Sequence, residues 1–441
     1  MIGQTKNDRG TAMEHFAQTL RWARLSSRNS GRRPRSHLLA AAALSFAAGA
    51  ALAQPTAFDG ARVIVGDGRV IEDATFVVAD GRFAAVGARG AVSVPAGAAR
   101  VDLTGTTVIP ALIDTHVHLS RERDALVDDL RRRAYFGVGA AMSLGQDQGD
   151  AVFAIRNETI PGAARYRTAG RGITTPEPGR SDIPYWVRSA EEARAAVREQ
   201  AALGVDIIKL WVDDRNGAYE KLPPEIYSAA IDEAHRHDLR VTAHIFALED
   251  AKGLLRAGLD AFAHGIRDTD VDAEVIALFR ERPNVVLVPN LPDPGVVTDV
   301  GWLDGHVPGS VLERLRAAST DRPEAQAAFA IQARNLARLA REGVTIALGT
   351  DGNSPWAVHL EMADMVRAGM APADVIVAAT RNSAELVGLD DAGTIEAGKS
   401  ADFVVLDANP LEDIANTRRI RAVHLRGEAV DRDAIRRAWT D

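Results

Sequence analysis

The sequence has 441 residues, 46% hydrophobic and 25% charged, which supplies a large core and excludes an intrinsically disordered chain. It has no cysteine, which excludes disulfides, iron–sulfur clusters, thiolate zinc sites and a cysteine nucleophile, so any metal must sit on histidine, carboxylate or modified lysine. The net charge is −8, and residues 1–53 carry eight Lys/Arg against two Asp/Glu, so the remainder stands at −14 and nucleic acid is not an expected partner.

Residues 1–53 read as an export signal. A basic stretch, Arg28 to Arg35, precedes the apolar run LLAAAALSFAAGAALA, and Ala51-Leu52-Ala53 places small residues before a cleavage expected ahead of Gln54. That run of about sixteen residues falls short of the roughly twenty needed to span a bilayer. No stable membrane insertion is expected after its removal, and the expected location is periplasmic or secreted. Arg32-Arg33 is compatible with twin-arginine export, although Pro34-Arg35-Ser36 departs from the rest of that signal.

Residues 54–109 alternate apolar and polar side chains between Asp67-Gly68 and Asp80-Gly81 turns, the pattern of short hairpins. Residues 389–441 have the same character, so the two segments are expected to close into one small β sandwich. Between them, residues 110–388 alternate short apolar runs with amphipathic helices, which predicts repeated βα units. One such helix starts at Ser189, with Glu192 completing a capping box, and ends at Gly204. Eight apolar runs qualify as strands: VIPALIDTHVHL, FGVGAAMSLG, ARYRTAGRGI, VDIIKLW, LRVTAHIF, LDAFAHGI, NVVLVPNLP and VTIALGTDG. The expected architecture is α/β: a (β/α)8 TIM barrel with a small β-sandwich domain formed by the N- and C-terminal segments.

Six residues fall at the C-terminal ends of these strands, where a barrel carries its chemistry: His116, His118, Lys209, His244, His264 and Asp351. Residues i and i+2 of a strand share a face, so His116 and His118 can offer two imidazoles to one ion while Val117 packs behind. Pro289 to Asp293, after the seventh strand, form a rigid loop at the same mouth.

This set, in this order, resembles the amidohydrolase superfamily of metal-dependent hydrolases. GTIEAGKSADFVVLD near the C-terminus adds to the likeness, and His359-Leu360-Glu361 followed by MVRAGMAPADVIVAATRNSAELVGL points to an imidazolonepropionase-related, Xaa-Pro dipeptidase-like branch. The resemblance implies two divalent ions, most often zinc. His116, His118 and Asp351 would hold the first, His244 and His264 the second, and Lys209, carboxylated on Nζ, would bridge them. It further implies a metal-bridging hydroxide that attacks an amide or peptide bond, with Asp351 as the catalytic residue that moves the proton to the leaving amine. A dipeptide, an N-acyl amino acid or a larger amide-linked conjugate is the implied small-molecule substrate. Arg215 and Tyr219, in the loop after Lys209, are the candidates for gripping its carboxylate. Assembly into a homo-oligomer is also implied. Two other chemistries fit the same fold: a mononuclear zinc deaminase, in which His264 assists catalysis, and a lactone or cyclic amide hydrolase. A non-catalytic scaffold has no reason to keep six convergent metal-binding groups.

Overall fold

A computed structural model of the chain describes residues 54–291 and 293–440; the export signal expected at residues 1–53 lies outside the described residues. The N-terminal strands are β1 (Thr56–Ile64), β2 (Val70–Ala79), β3 (Arg82–Ala88), β4 (Ala99–Asp102) and β5 (Thr107–Pro110). The middle of the chain supplies β6 (Leu112–Val117), β7 (Val138–Ser143), β8 (Arg165–Thr168), β9 (Ile173–Thr174), β10 (Tyr185–Trp186), β11 (Ile208–Trp211), β12 (Val241–His244), β13 (Ala261–Ala263), β14 (Val286–Val288) and β15 (Thr345–Ile346). The last three are β16 (Phe403–Leu406), β17 (Ile420–Leu425) and β18 (Glu428–Ala429).

The first and last strands of the described residues meet in one eight-stranded sheet. Antiparallel pairing of β5 with β16 joins them, and the order is β18-β17-β16-β5-β1-β2-β3, with β4 beside β1. The layers expected of a sandwich therefore belong to a single curled sheet. Phe83 N donates to Lys399 O and Ala401 N to Gly81 O, so the far edge bends back onto the segment leading into β16. The bend encloses an aromatic core. Phe58 stacks on Phe76 at 4.8 Å, and Phe403 meets Phe76 edge-on at 5.3 Å.

In the middle of the chain, β6-β7-β8 pair in parallel, as do β10-β9-β11-β12-β13-β14-β15. Backbone bonds join these sets at both seams. Asp206 N donates to Thr168 O at the end of β8, and Thr115 N donates to Leu348 O beyond β15, each at 2.9 Å. The eight predicted strands thus follow one another round a ring in the order of a (β/α)8 barrel, and β9 and β10 extend the end of the third. Strands β6, β7, β11 and β12 are buried along their whole length, as expected where helices cover a parallel sheet. The connecting helices end where local chemistry requires. Ser189 Oγ accepts from Glu192 N at 3.2 Å, and Gly204 closes that helix at φ 76°, a conformation that favours glycine.

The chain ends in a helix, Arg432–Thr440, outside the sheet. Its Trp439 stacks on Trp356, which is buried with Tyr135 and Phe136 in a peripheral core. Among the described residues no helix is long and apolar enough to cross a membrane. Because Phe403 bridges the terminal segments, Phe403→Ala should cost about 3–5 kcal/mol in urea unfolding; a loss below about 1 kcal/mol would show that the curled sheet does not rely on this core.

Candidate metal centre

The end of β6 directs His116 and His118 toward the segment after β15, as the two-residue period requires. Their Nε2 atoms lie 3.1 and 2.9 Å from the same oxygen, Oδ1 of Asp351. His264, just after β13, brings its Nε2 to 3.4 Å from the other oxygen, Oδ2. Ligand atoms of His116, His264 and Asp351 all fall within 4.8 Å of one another. His244, at the end of β12, packs its ring 4.4 Å from that of His264.

The backbone is strained where it makes this convergence. His264 (φ 100°), Asn290 (φ 42°) and Asp351 (φ 51°) all adopt positive φ without being glycine, a cost that the surrounding hydrogen bonds must impose. Asp114, buried in β6, supplies several of those bonds. It accepts from Thr350 N at 3.1 Å, Thr350 Oγ1 at 2.8 Å and His116 N at 3.3 Å, tying the first strand to the turn that carries Asp351. A side chain on Gly349 would come within 2.8 Å of the His116 Cβ, so this glycine makes room for the ligand strand.

The hydrogen-bond partners assign the imidazole tautomers. Asn290 Oδ1 lies 3.0 Å from His116 Nδ1, so that nitrogen donates and Nε2 keeps its lone pair facing Asp351. Asp213 Oδ2 lies 3.2 Å and Arg215 Nη1 3.3 Å from His244 Nε2; Arg215 Nη1 already donates to Asp213 at 2.8 Å, so the hydrogen on Nε2 points at the carboxylate and Nδ1 of His244 keeps its lone pair. His264 differs. Arg267 Nη2, which can only donate, lies 2.8 Å from His264 Nδ1 and leaves the hydrogen on Nε2. Burial holds His116 at about 4 and His244 at about 3, so both rings are neutral near pH 7. Burial works against ionisation of Asp351, but His116 and His118 outweigh it and hold its carboxyl well below the usual range.

Lys209 lies in β11, fully buried, and its Nζ has no hydrogen-bond partner among the described residues. Burial, reinforced by Arg215 and partly offset by Asp351, pushes its ammonium down to about 7. Its charge bears on His116 and His244 as well, so it belongs to the same cluster. Gly145, at φ 91°, makes room for it: a side chain there would lie 2.9 Å from Lys209 Cγ and 2.5 Å from Trp211.

The two expected substrate residues are placed less simply. Arg215 reaches the cluster, but its Nε donates to Glu177 at 2.9 Å and its Nη1 to Asp213 at 2.8 Å, so its charge is already matched. Tyr219 donates its hydroxyl to Pro178 O, with no hydrogen bond to the histidines among the described residues. His359 is buried away from the site, its ring nitrogens 3.1 Å from Thr417 Oγ1 and 3.0 Å from Phe136 O. Asp114, Asp213 and Arg267 are the additions that sequence reasoning missed, and the loop it placed at the mouth supplies Asn290 in a ring-orienting role it did not foresee. The signals were local: an Asp two residues before His116, an Asn in the loop after the seventh strand, and an Arg three residues after His264.

Comparison with known proteins agrees with this geometry. The model of the amidohydrolase family matches residues 107–430. Ochratoxinase of Aspergillus niger is 30% identical over 308 residues, 65% of this chain; the match spans 57% of that protein, little more than half its length. Imidazolonepropionase of Deinococcus radiodurans is 28% identical over 385 residues, 80% of this chain and 90% of that one. The crystal structure of a Xaa-Pro dipeptidase with bound methionine superposes with a TM-score of 0.68 at 23% identity, covering 85% of this chain and 99% of that one, and so shares its fold. The order of the strands, the convergent histidines and the family match over most of the barrel lead to one assignment: the chain belongs to the amidohydrolase family.

Proposed function

We propose that the chain is a metal-dependent hydrolase of carbon–nitrogen bonds, cleaving the amide of a dipeptide, an N-acyl amino acid or a larger amide-linked conjugate. One observation carries this reading: the lone pair of the neutral, buried His116 ring faces the ionised Asp351 carboxylate at 3.1 Å, with no hydrogen on either atom. Such acceptors repel one another unless a cation joins them. His116 and His118 through Nε2, with Asp351, fit one divalent ion; Nδ1 of His244 fits a second, with His264 once its Nε2 is freed of hydrogen.

A divalent ion in this set supplies Lewis-acid chemistry, acidifying water near neutral pH and polarising the scissile carbonyl. The protein's part is positional. Asp351 lies within reach of His116, His118 and His264, where it can take the proton of the attacking water and hand it to the leaving nitrogen. Asn290 fixes the His116 ring and Asp213 the His244 ring, and each keeps a lone pair aimed inward.

Lys209 suits a second ion only after modification. An ammonium cannot ligate a cation, but an amine pushed down to about 7 has an uncharged fraction at neutral pH. Addition of carbon dioxide to that amine would form a carbamate and release a proton, so that Lys209 would offer an anionic oxygen ligand in place of a buried cation. Zinc suits the nitrogen and oxygen donors. A mononuclear centre is the second reading, favoured by the hydrogen that Arg267 leaves on His264 Nε2.

Metal content separates the two readings. The binuclear reading expects two ions per chain and a fall to one or none in Lys209→Ala, read by elemental analysis; one ion in both proteins would establish the mononuclear centre. Zinc- or manganese-loaded protein should hydrolyse members of a dipeptide and N-acyl amino acid library, with lactones and aminopurines as controls. Turnover confined to the controls would sink the amide reading. Asn290→Ala should lower metal affinity or turnover by about 10–100-fold, since it removes the acceptor that orients His116.

A further inference from the structure

We propose that Arg267 receives an anionic group of the substrate, so that the enzyme selects acyl compounds with a free carboxylate close to the bond it cleaves; this rests on the hydrolase reading above. The two guanidinium groups beside the cluster are not equivalent. Arg215 is neutralised by Glu177 and Asp213, at 2.9 and 2.8 Å. Arg267 has no carboxylate within ion-pair distance among the described residues. Its Nη2 meets only neutral acceptors, His264 Nδ1 at 2.8 Å and Asn290 O at 3.4 Å, and its Nε has no partner.

A guanidinium keeps its charge at any physiological pH, and a partly buried one that Asp351, Asp213 and Glu361 stabilise only from a distance, with no carboxylate in contact, is costly. Phe246 offsets part of that cost, with the guanidinium carbon 4.0 Å from its ring centroid. The stacking also holds the donor fork in one plane, as bidentate binding of a carboxylate needs. Arg267 stands one imidazole away from the reacting region: Nη2 to Nδ1 of His264 is 2.8 Å, and Nε2 of that ring to Asp351 Oδ2 is 3.4 Å. An anion held there lies beside the scissile amide, as the carboxylate of an N-acyl amino acid does. Cations in the ligand set add positive charge that the same anion offsets.

The test uses acetylated phenylalanine, leucine and proline, each as the free acid and as the carboxamide, with the wild type, Arg267→Gln and Arg267→Lys. Hydrolysis is followed with zinc-loaded full-length protein, and binding to the metal-free protein is followed by calorimetry. The wild type should favour the acids by on the order of 100-fold in kcat/KM and in affinity, the gain of a charge-assisted bidentate pair. Arg267→Gln should bring the acid and carboxamide close to parity by weakening only the acids, and Arg267→Lys should retain part of the preference. Equal losses on acid and carboxamide, or a wild type indifferent to the carboxylate, would overturn the assignment. If no compound is hydrolysed but the calorimetric preference persists and depends on Arg267, the hydrolase reading fails while the anion site stands.

Discussion

Three imidazoles from two separated parts of the barrel compete for one carboxylate, and this convergence on Asp351 organises the structure around it. His116 and His118 take one of its oxygens and His264 approaches the other. Burial removes water as an alternative partner for His116 and His264, which depend on how their neighbours are held, while His118 and Asp351 face the open mouth of the site. The strained backbone at His264, Asn290 and Asp351 follows from that demand, because relaxing any of these φ angles would turn a donor or acceptor out of the cluster. Asp114 and Arg133 brace the same turn from beneath, the first through Thr350 and the second through Gly352 O at 3.2 Å.

The electrostatics are arranged in two tiers. Within the inner group, burial keeps the His116 and His244 imidazoles neutral and lowers the lysine toward neutrality, which favours ligands over free ions. Around it lie fixed charges and dipoles that set the direction of each lone pair. Asn290 and Asp213 act on His116 and His244 in the same sense, while Arg267 acts on His264 in the opposite one. That asymmetry separates the two halves of the site by chemistry as well as by position.

The barrel strands and the inner group were legible because both rest on short-range regularity. Apolar runs between amphipathic helices mark strands, and a polar residue that ends such a run stands out, as His244 does after VTA and His264 after AFA. The orienting residues were not legible. Asn290 and Arg267 lie in loops, where periodicity carries no information and a polar side chain has many equivalent uses. Arg215 shows the same limit. Its partner Glu177 lies 38 residues upstream in an irregular segment, and only the folded chain shows that its charge is already matched. The curled sheet was half legible: alternation predicted strands at both ends of the chain, but only the β5–β16 register and the bend at Phe83 show that they form one layer folded on itself.

The seam between β6 and the turn after β15 also sets an order of events during synthesis. The contact of His118 with Asp351 spans 233 positions, and Thr115 binds Leu348 across the same gap. Until the ribosome has released Asp351, the first strand of the ring has no neighbour on that side and its histidines have no carboxylate to face. β5 waits longer still, for β16. Such distant pairings are slow to form and leave strand edges open meanwhile. Ring closure and completion of the ligand set are therefore one event, late in the life of the nascent chain.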